Sequence, residues 1–167
     1  MGLRTWLRDR PSLLEWVYQI MYATFYFFEP VIRWLGIERT ERLILPLEKF
    51  SKEAIFGCRM CGQCILHSTG MVCPMTCPKK LRNGACGGVL TNGHCEVRPE
   101  MKCVWVAAYE RAKELRVYGP EIITIKPPVN HALEGASAWI NMLTGEDKKE
   151  PRGWAELPHN PVIVKKL

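Results

Sequence analysis

All eight cysteines of this 167-residue chain fall between Cys58 and Cys103, and none lies outside that stretch. The same region carries Gly57, Gly62, Gly70, Gly84, Gly87, Gly88 and Gly93, with Pro74, Pro78 and Pro99. A segment so rich in turn residues buries little apolar surface by itself, and metal ligation is a ready source of the missing folding free energy. The first residues, MGLRTWLRDRPSLLEW, mix Asp9 with arginines, and no small-residue cleavage site follows the apolar stretch behind them. The expectation is a cytoplasmic protein in a reducing compartment, where thiols bind metals rather than form disulfides. Eight thiols match two four-cysteine sites.

The spacing narrows the chemistry. Cys58, Cys61 and Cys64 form C-x₂-C-x₂-C, the opening of a ferredoxin-type loop that wraps one corner of an iron–sulfur cubane at each step. Cys73-Pro74 and Cys77-Pro78 both offer the cysteine–proline step that commonly closes such a run. Eight residues separate Cys64 from Cys73, so the chain is not a simple bacterial ferredoxin. The expected pairing joins Cys58, Cys61 and Cys64 with Cys77 or Cys103. A second site draws on Cys73, Cys86 and Cys95 with whichever thiol is left. Spacing does not decide between these pairings. Zinc competes, since Cys₄ zinc also uses C-x₂-C pairs, but a tandem triplet suits a cubane better than two zinc knuckles. The cofactors expected are therefore two [4Fe-4S] clusters, with zinc as the alternative at one site.

The flanks read as helical. A capping box of Ser12 and Glu15 opens a helix from about Leu13 to Leu35, kinked or divided at Pro30 and ended by Gly36. Ile37–Phe56 continues as a second helical stretch, interrupted at Pro46 and closed by Gly57. Pro99 suits the first turn of a helix running to about Arg116, with Cys103 in its first turns. Glu121–Lys126 reads as a short strand, Gly135–Leu143 as a short helix, and Trp154, Leu157 and Val162–Val164 as apolar points on an extended tail. The fold class expected is mainly α with a metal-stapled, irregular cysteine-rich core, whose cluster-binding loops are ferredoxin-like. Three units follow: an aromatic helical docking arm over residues 1–56, a cysteine-rich domain with its closing helix over 57–116, and a strand, helix and tail over 117–167.

Several function classes fall away. The apolar run Trp16–Phe28 is shorter than the roughly 20 residues a membrane crossing needs. Burial against the rest of the chain or a partner subunit is preferred for it, and an interfacial membrane contact is the disfavoured reading. The formal charge of +6 comes with no ladder of basic and aromatic residues, so nucleic acid is not expected as a partner. No Ser–His–Asp set or spaced carboxylate pair suggests a hydrolase. His67 and His94 lie within the cysteine region and read better as loop histidines than as ligands. Lys79, Lys80 and Arg82 can balance thiolate charge, and Met60, Met71, Met75 and Met101 can shield a cluster. Gly87-Gly88 is not part of a nucleotide-binding fingerprint.

Cys73-Pro74, Cys77, Lys79, Leu81, Asn83-Gly84, Cys86-Gly87-Gly88, Cys95-Glu96-Val97 and Cys103-Val104-Trp105 occur in one ordered series. This series resembles the cysteine-rich methylenetetrahydrofolate reductase C-terminal family, over roughly Gly57 to Leu115 and more loosely to Leu143. The resemblance implies a non-catalytic subunit or appended domain beside a flavin-containing methylenetetrahydrofolate reductase. Iron–sulfur clusters, sometimes zinc, are implied on the cysteines, with electron relay to or from the partner's flavin in one-carbon metabolism. The alternative is a metal-stapled interaction subunit that stabilises the reductase without passing electrons. At this length the chain does not hold the reductase barrel, which needs about 250 residues. Its first 56 residues also depart from the α/β region expected of the small subunit of acetogenic bacteria.

Overall fold

The computed structural model describes residues 10–149 and 151. Helix α1 (Pro11–Phe27) begins one residue before Ser12, with Arg10 as its N-cap and Pro11 in the first turn, where a missing N–H costs no bond. The predicted capping box therefore does not form. The Ser12 hydroxyl donates to the carbonyl of Glu114 at 3.1 Å. The buried Glu15 carboxylate accepts the backbone N–H groups of Arg116, Val117 and Tyr118 at 3.0, 2.9 and 2.9 Å. These two residues fasten α1 to a segment about a hundred positions away.

The expected division at Pro30 is present. Phe28 separates α1 from α2 (Glu29–Leu35), and Pro30 occupies the first turn of the new helix. Gly36, at φ +91°, leads into α3 (Ile37–Phe56). That helix runs unbroken through Pro46, against expectation. An interior proline costs about 3 kcal/mol. Here α3 recovers it by packing on both sides of the proline: Ile37 and Ile44 join Ile32, Ile140 and Leu143 in one apolar cluster, and Phe56 joins Leu14, Leu66 and Met71 in a second. The short helix expected near Gly135–Leu143 is α5 (Ala138–Thr144), N-capped by the Ser137 hydroxyl.

Between α3 and the next helix the chain makes only short 3-10 turns, His67–Thr69 and Pro74–Thr76, and two isolated bridges, Val89 with Cys95 and His94 with Lys102. Helix α4 (Val104–Ala112) starts later than predicted, with Cys103 at its N-cap. Residues 99–102 are drawn into the preceding turn, because Cys95 N–H donates to Met101 and Cys103 N–H to Gly93. The expected strand at Glu121–Lys126 is absent. Gly119–Ile123 is a 3-10 turn, and in place of a neighbouring strand Lys126 finds the Asn83 side chain, which both donates to and accepts from its backbone. The predicted tail anchors Trp154, Leu157 and Val162–Val164 lie outside the described residues.

The expected metal-stapled, ferredoxin-like core is corrected by the structure. Among the described residues no three Cys, His, Asp or Glu side chains stand close enough to hold one metal ion. The cysteine-rich segment is held by ordinary packing instead. Leu66 and Met71 pack on Leu14 of α1, while Val72 and Val89 pack on Cys103, Trp105 and Ala108. Some polar groups find partners in place: Trp105 Nε1 donates to Leu81, and the Thr69 hydroxyl lies 2.7 Å from the Val72 carbonyl. Side chains from α1, α3 and α4 thus supply the apolar surface that the segment lacks by itself. Among the described residues no helix is long and apolar enough to cross a membrane.

Candidate metal centre

The C-x₂-C-x₂-C loop leaves α3 through Gly57, whose N–H donates to Glu53, while Cys58 N–H reaches back to Lys52. The loop is then pinned from outside. Gly135 N–H donates to the Met60 carbonyl at 2.8 Å, and Asn141 Nδ2 donates to the Gly62 carbonyl at 2.9 Å. Gly62 has φ +71° and the Leu133 backbone lies where a Cβ would project, so only glycine fits between Cys61 and Cys64. The buried Gln63 side chain accepts from Asn130 N–H and donates to the Asp147 carbonyl. Cys73 comes from a different loop, between the buried Met71 and the Pro74–Thr76 turn.

These two loops and α3 enclose one cavity lined by Cys58, Cys61, Cys64 and Cys73, of about 460 Å³ including its mouth. Cys73 lines this cavity beside the triplet, whereas Cys77 and Cys103, the partners suggested by the sequence, are not among its lining residues. Cys58 and Cys73 are hydrogen-bonded to each other; this contact, with the Met60 N–H on Cys58 Sγ at 3.3 Å, brings the Cys58 thiol down to about 6 and pushes Cys73 far up. Burial raises Cys61.

Two buried cations face the same cavity. Lys52 pairs with the fully buried Glu48 at 2.5 Å and lies over the Trp139 ring at 5.0 Å from its centroid. Burial works against its ammonium, but Cys64 and Glu48 more than offset this and its pKa is raised. Glu48 is held in turn by the Ser137 hydroxyl and the Ala138 N–H, so one carboxylate joins α3, the start of α5 and Lys52. Arg82 is 7% exposed, donates through Nη1 to the Gln63 carbonyl, and has no hydrogen-bond partner at Nε. Burial lowers its pKa, while Cys61 and Cys64 act in the opposite direction. With one buried carboxylate against two buried cations, the cavity suits an anionic occupant. Deprotonated thiols would supply such negative charge.

The other four cysteines lie along the compact 77–103 segment. Cys86 Sγ is 3.6 Å from Lys79 Nζ and 3.8 Å from Glu96 Oε1, beside the Lys79–Glu96 ion pair. Cys95 sits in the bridge with Val89, Cys77 closes the Pro74–Thr76 turn, and Cys103 is buried against Trp105 and Ala108. Of the basic trio after the second cysteine–proline step, only Arg82 reaches the four-cysteine cavity; Lys79 and Lys80 are exposed. His67 stacks on Tyr18 at 5.0 Å and meets Glu121 at 3.3 Å, and burial lowers it to about 4, so it is a neutral packing residue near neutral pH. His94 bonds the Pro99 carbonyl. Sequence reasoning missed Glu48 and Lys52. Their i, i+4 spacing was visible, but it is equally that of an exposed helical ion pair.

Residues 37–132, more than half of the chain, match the family described as methylene-tetrahydrofolate reductase C terminal. The chain belongs to that family. The match begins at α3 and takes in all eight cysteines, most of the cavity lining and α4, and leaves out α1, α2 and α5. No curated protein and no solved structure matches the chain.

Proposed function

We propose that this member of the family is an accessory, non-catalytic subunit of a flavin-containing methylenetetrahydrofolate reductase, and that it relays electrons through an iron–sulfur cluster held by Cys58, Cys61, Cys64 and Cys73. The observation that carries the reading is the convergence of those four thiols, from two separate loops, on one cavity flanked by buried Lys52 and Arg82. The preference for iron–sulfur over zinc rests on the tandem triplet Cys58, Cys61 and Cys64, which suits a cubane better than two zinc knuckles.

When bound, such a cluster supplies one-electron exchange. The chain's own contributions are positioning, charge and exclusion of water. Gly62 and the Gln63 hydrogen bonds fix the turn of the triplet. Lys52 and Arg82 offset thiolate charge, which eases addition of an electron. Met60, Met75, Ile65 and Leu66 provide an apolar lining.

The test is anaerobic purification with the reductase subunit, metal analysis, and EPR before and after the partner's flavin is reduced. Iron with a signal that appears on reduction supports the reading. A colourless complex with stoichiometric zinc contradicts it, as does an iron signal that never responds to the flavin.

A further inference from the structure

The outer side of α1 carries no charge. The helix has one charged side chain, Glu15, and that is buried and tied to the 116–118 backbone. Leu13, Trp16, Val17, Ile20 and Phe27 are exposed, Phe27 to 76%. The fold thus covers only one side of the run Trp16–Phe28, for which the sequence favoured burial. The apolar surface continues on the next two helices. Val31 and Trp34 are exposed on α2, Trp34 to 83%. On α3, Leu43, Leu47 and Phe50 make an exposed stripe at i, i+4 and i+7. Most of the exposed large apolar side chains among the described residues lie between Leu13 and Phe50.

Two clefts open among the same three helices. One, about 760 Å³ with its mouth, passes between Val17 and Met21 of α1 and Ile55 and Phe56 of α3. The other, about 560 Å³, is lined by Thr24, Phe25, Phe28, Val31, Ile32 and Ile44. Their walls offer almost no polar surface. A protein occupant brings backbone N–H and C=O groups that need partners once buried, and protein interfaces meet that need with about one hydrogen bond per 100–200 Å². The clefts and the outer side of α1 have little to give: Thr24 and Ser12 already donate to the Ile20 and Glu114 carbonyls. Hydrocarbon chains make no such demand. Charge returns at the border of the apolar stripe, where Arg39, Arg42 and Lys49 are exposed on α3 with Glu38 and Glu53. Arg39 lies one turn before Leu43, in line with the stripe. A stem there can rest on apolar surface while its guanidinium reaches a phosphate.

We infer that the α1–α3 arm is a membrane-surface anchor that lies in one leaflet of a phospholipid bilayer. The outer side of α1 and the Leu43–Phe50 stripe meet the acyl chains, the two clefts take up chain segments, and Arg39 and Arg42 meet anionic headgroups. Amphipathic helices bind this way through buried apolar area together with attraction to anionic lipid. The inference uses none of the cysteines and stands apart from the electron-relay reading.

The experiment floats the full chain with vesicles of phosphatidylcholine, with and without phosphatidylglycerol, and measures the bound fraction. One variant carries F27E and L47E, a second R39Q and R42Q. A control carries I123E and I125E, which are equally exposed but lie outside the arm. Circular dichroism checks the fold of each. The parent is expected to bind the phosphatidylglycerol vesicles, with its tryptophan emission quenched by lipids brominated along their chains. F27E/L47E should bind at least about tenfold more weakly, and the control as the parent does. R39Q/R42Q should bind about tenfold more weakly when phosphatidylglycerol is present and like the parent when it is absent. A parent that does not bind, or binds without quenching, overturns the inference, and so does an equal loss in the control. Vesicle binding that survives F27E/L47E, while association with a second copy or with the reductase subunit is lost, would make the arm a protein interface and also overturn it. Quenching of the parent decides the matter where a variant fails to fold.

Discussion

Replacing Glu15 by glutamine removes a charge without removing volume, and the structure sets the cost. Oε1 of Glu15 accepts from Val117 and Tyr118, and Oε2 accepts from Arg116. A glutamine carbonyl can keep the first two bonds as neutral ones, each weaker by roughly 0.5–1 kcal/mol. Its amide nitrogen then faces the Arg116 N–H, donor against donor, at a cost of about 1–3 kcal/mol for the stranded group. The expected loss is about 3 kcal/mol, or roughly 6–12 °C in Tm for a domain of this size. Urea unfolding followed by far-UV circular dichroism measures it. Burial alone would raise the Glu15 pKa, but the three N–H bonds and Arg116 prevail and hold it below the usual carboxylate range. A depressed folded-state pKa means that the stabilisation is complete above the unfolded value, near 4.3, and fades as pH falls through the folded one. Parent and E15Q should therefore differ fully at pH 6 and converge well below pH 4. A loss under 0.5 kcal/mol at pH 6, or a gap that widens in acid, would refute the assignment of Glu15 as the tether of α1.

His67 carries the opposite kind of linkage. Its folded pKa, near 4, lies below the unfolded value near 6.5, so it destabilises the fold as pH falls from about 6.5 to 4, by at most about 3 kcal/mol; H67F should flatten that part of the stability profile, and an unchanged profile would exclude His67 as its source. Gly70 has φ +62° and a Cβ there would stand 2.7 Å from the Ala108 carbonyl oxygen and the Ala112 nitrogen; G70A should cost about 2–4 kcal/mol by urea unfolding, through strain and displaced α4, whereas a near-neutral variant would mean that α4 sits elsewhere. Since packing holds the cysteine-rich segment, removal of metal by chelation should leave the helical circular dichroism signal largely intact, and collapse to a random-coil spectrum would contradict that account.

The helices were legible because their signals are local. Pro30, Gly36 and Gly57 marked true boundaries, as turn residues with restricted or left-handed backbone do. What stayed hidden was set by distant partners. Ser12 and Glu15 carry the letters of a capping box, but Glu114 and the 116–118 backbone claim both side chains. Pro46 reads as a break, and apolar contacts on both sides of it keep α3 whole. Glu121–Lys126 has β-prone residues, but strands exist only in pairs. In the cysteine region, spacing picked out the triplet but not Cys73, which comes to line the same cavity through the packing of Leu66 and Met71 on α1 rather than through sequence proximity. The family of the cysteine series, by contrast, was legible, and the match over residues 37–132 agrees with the family.

The most direct test of the four-cysteine assignment is the iron content of the anaerobically purified chain and of C73S, measured side by side. The account predicts that C73S holds about four fewer iron atoms per chain than the parent, the content of one cubane, with its helical signal preserved. Equal iron in the two proteins, or a parent chain that carries zinc and no iron, would contradict it.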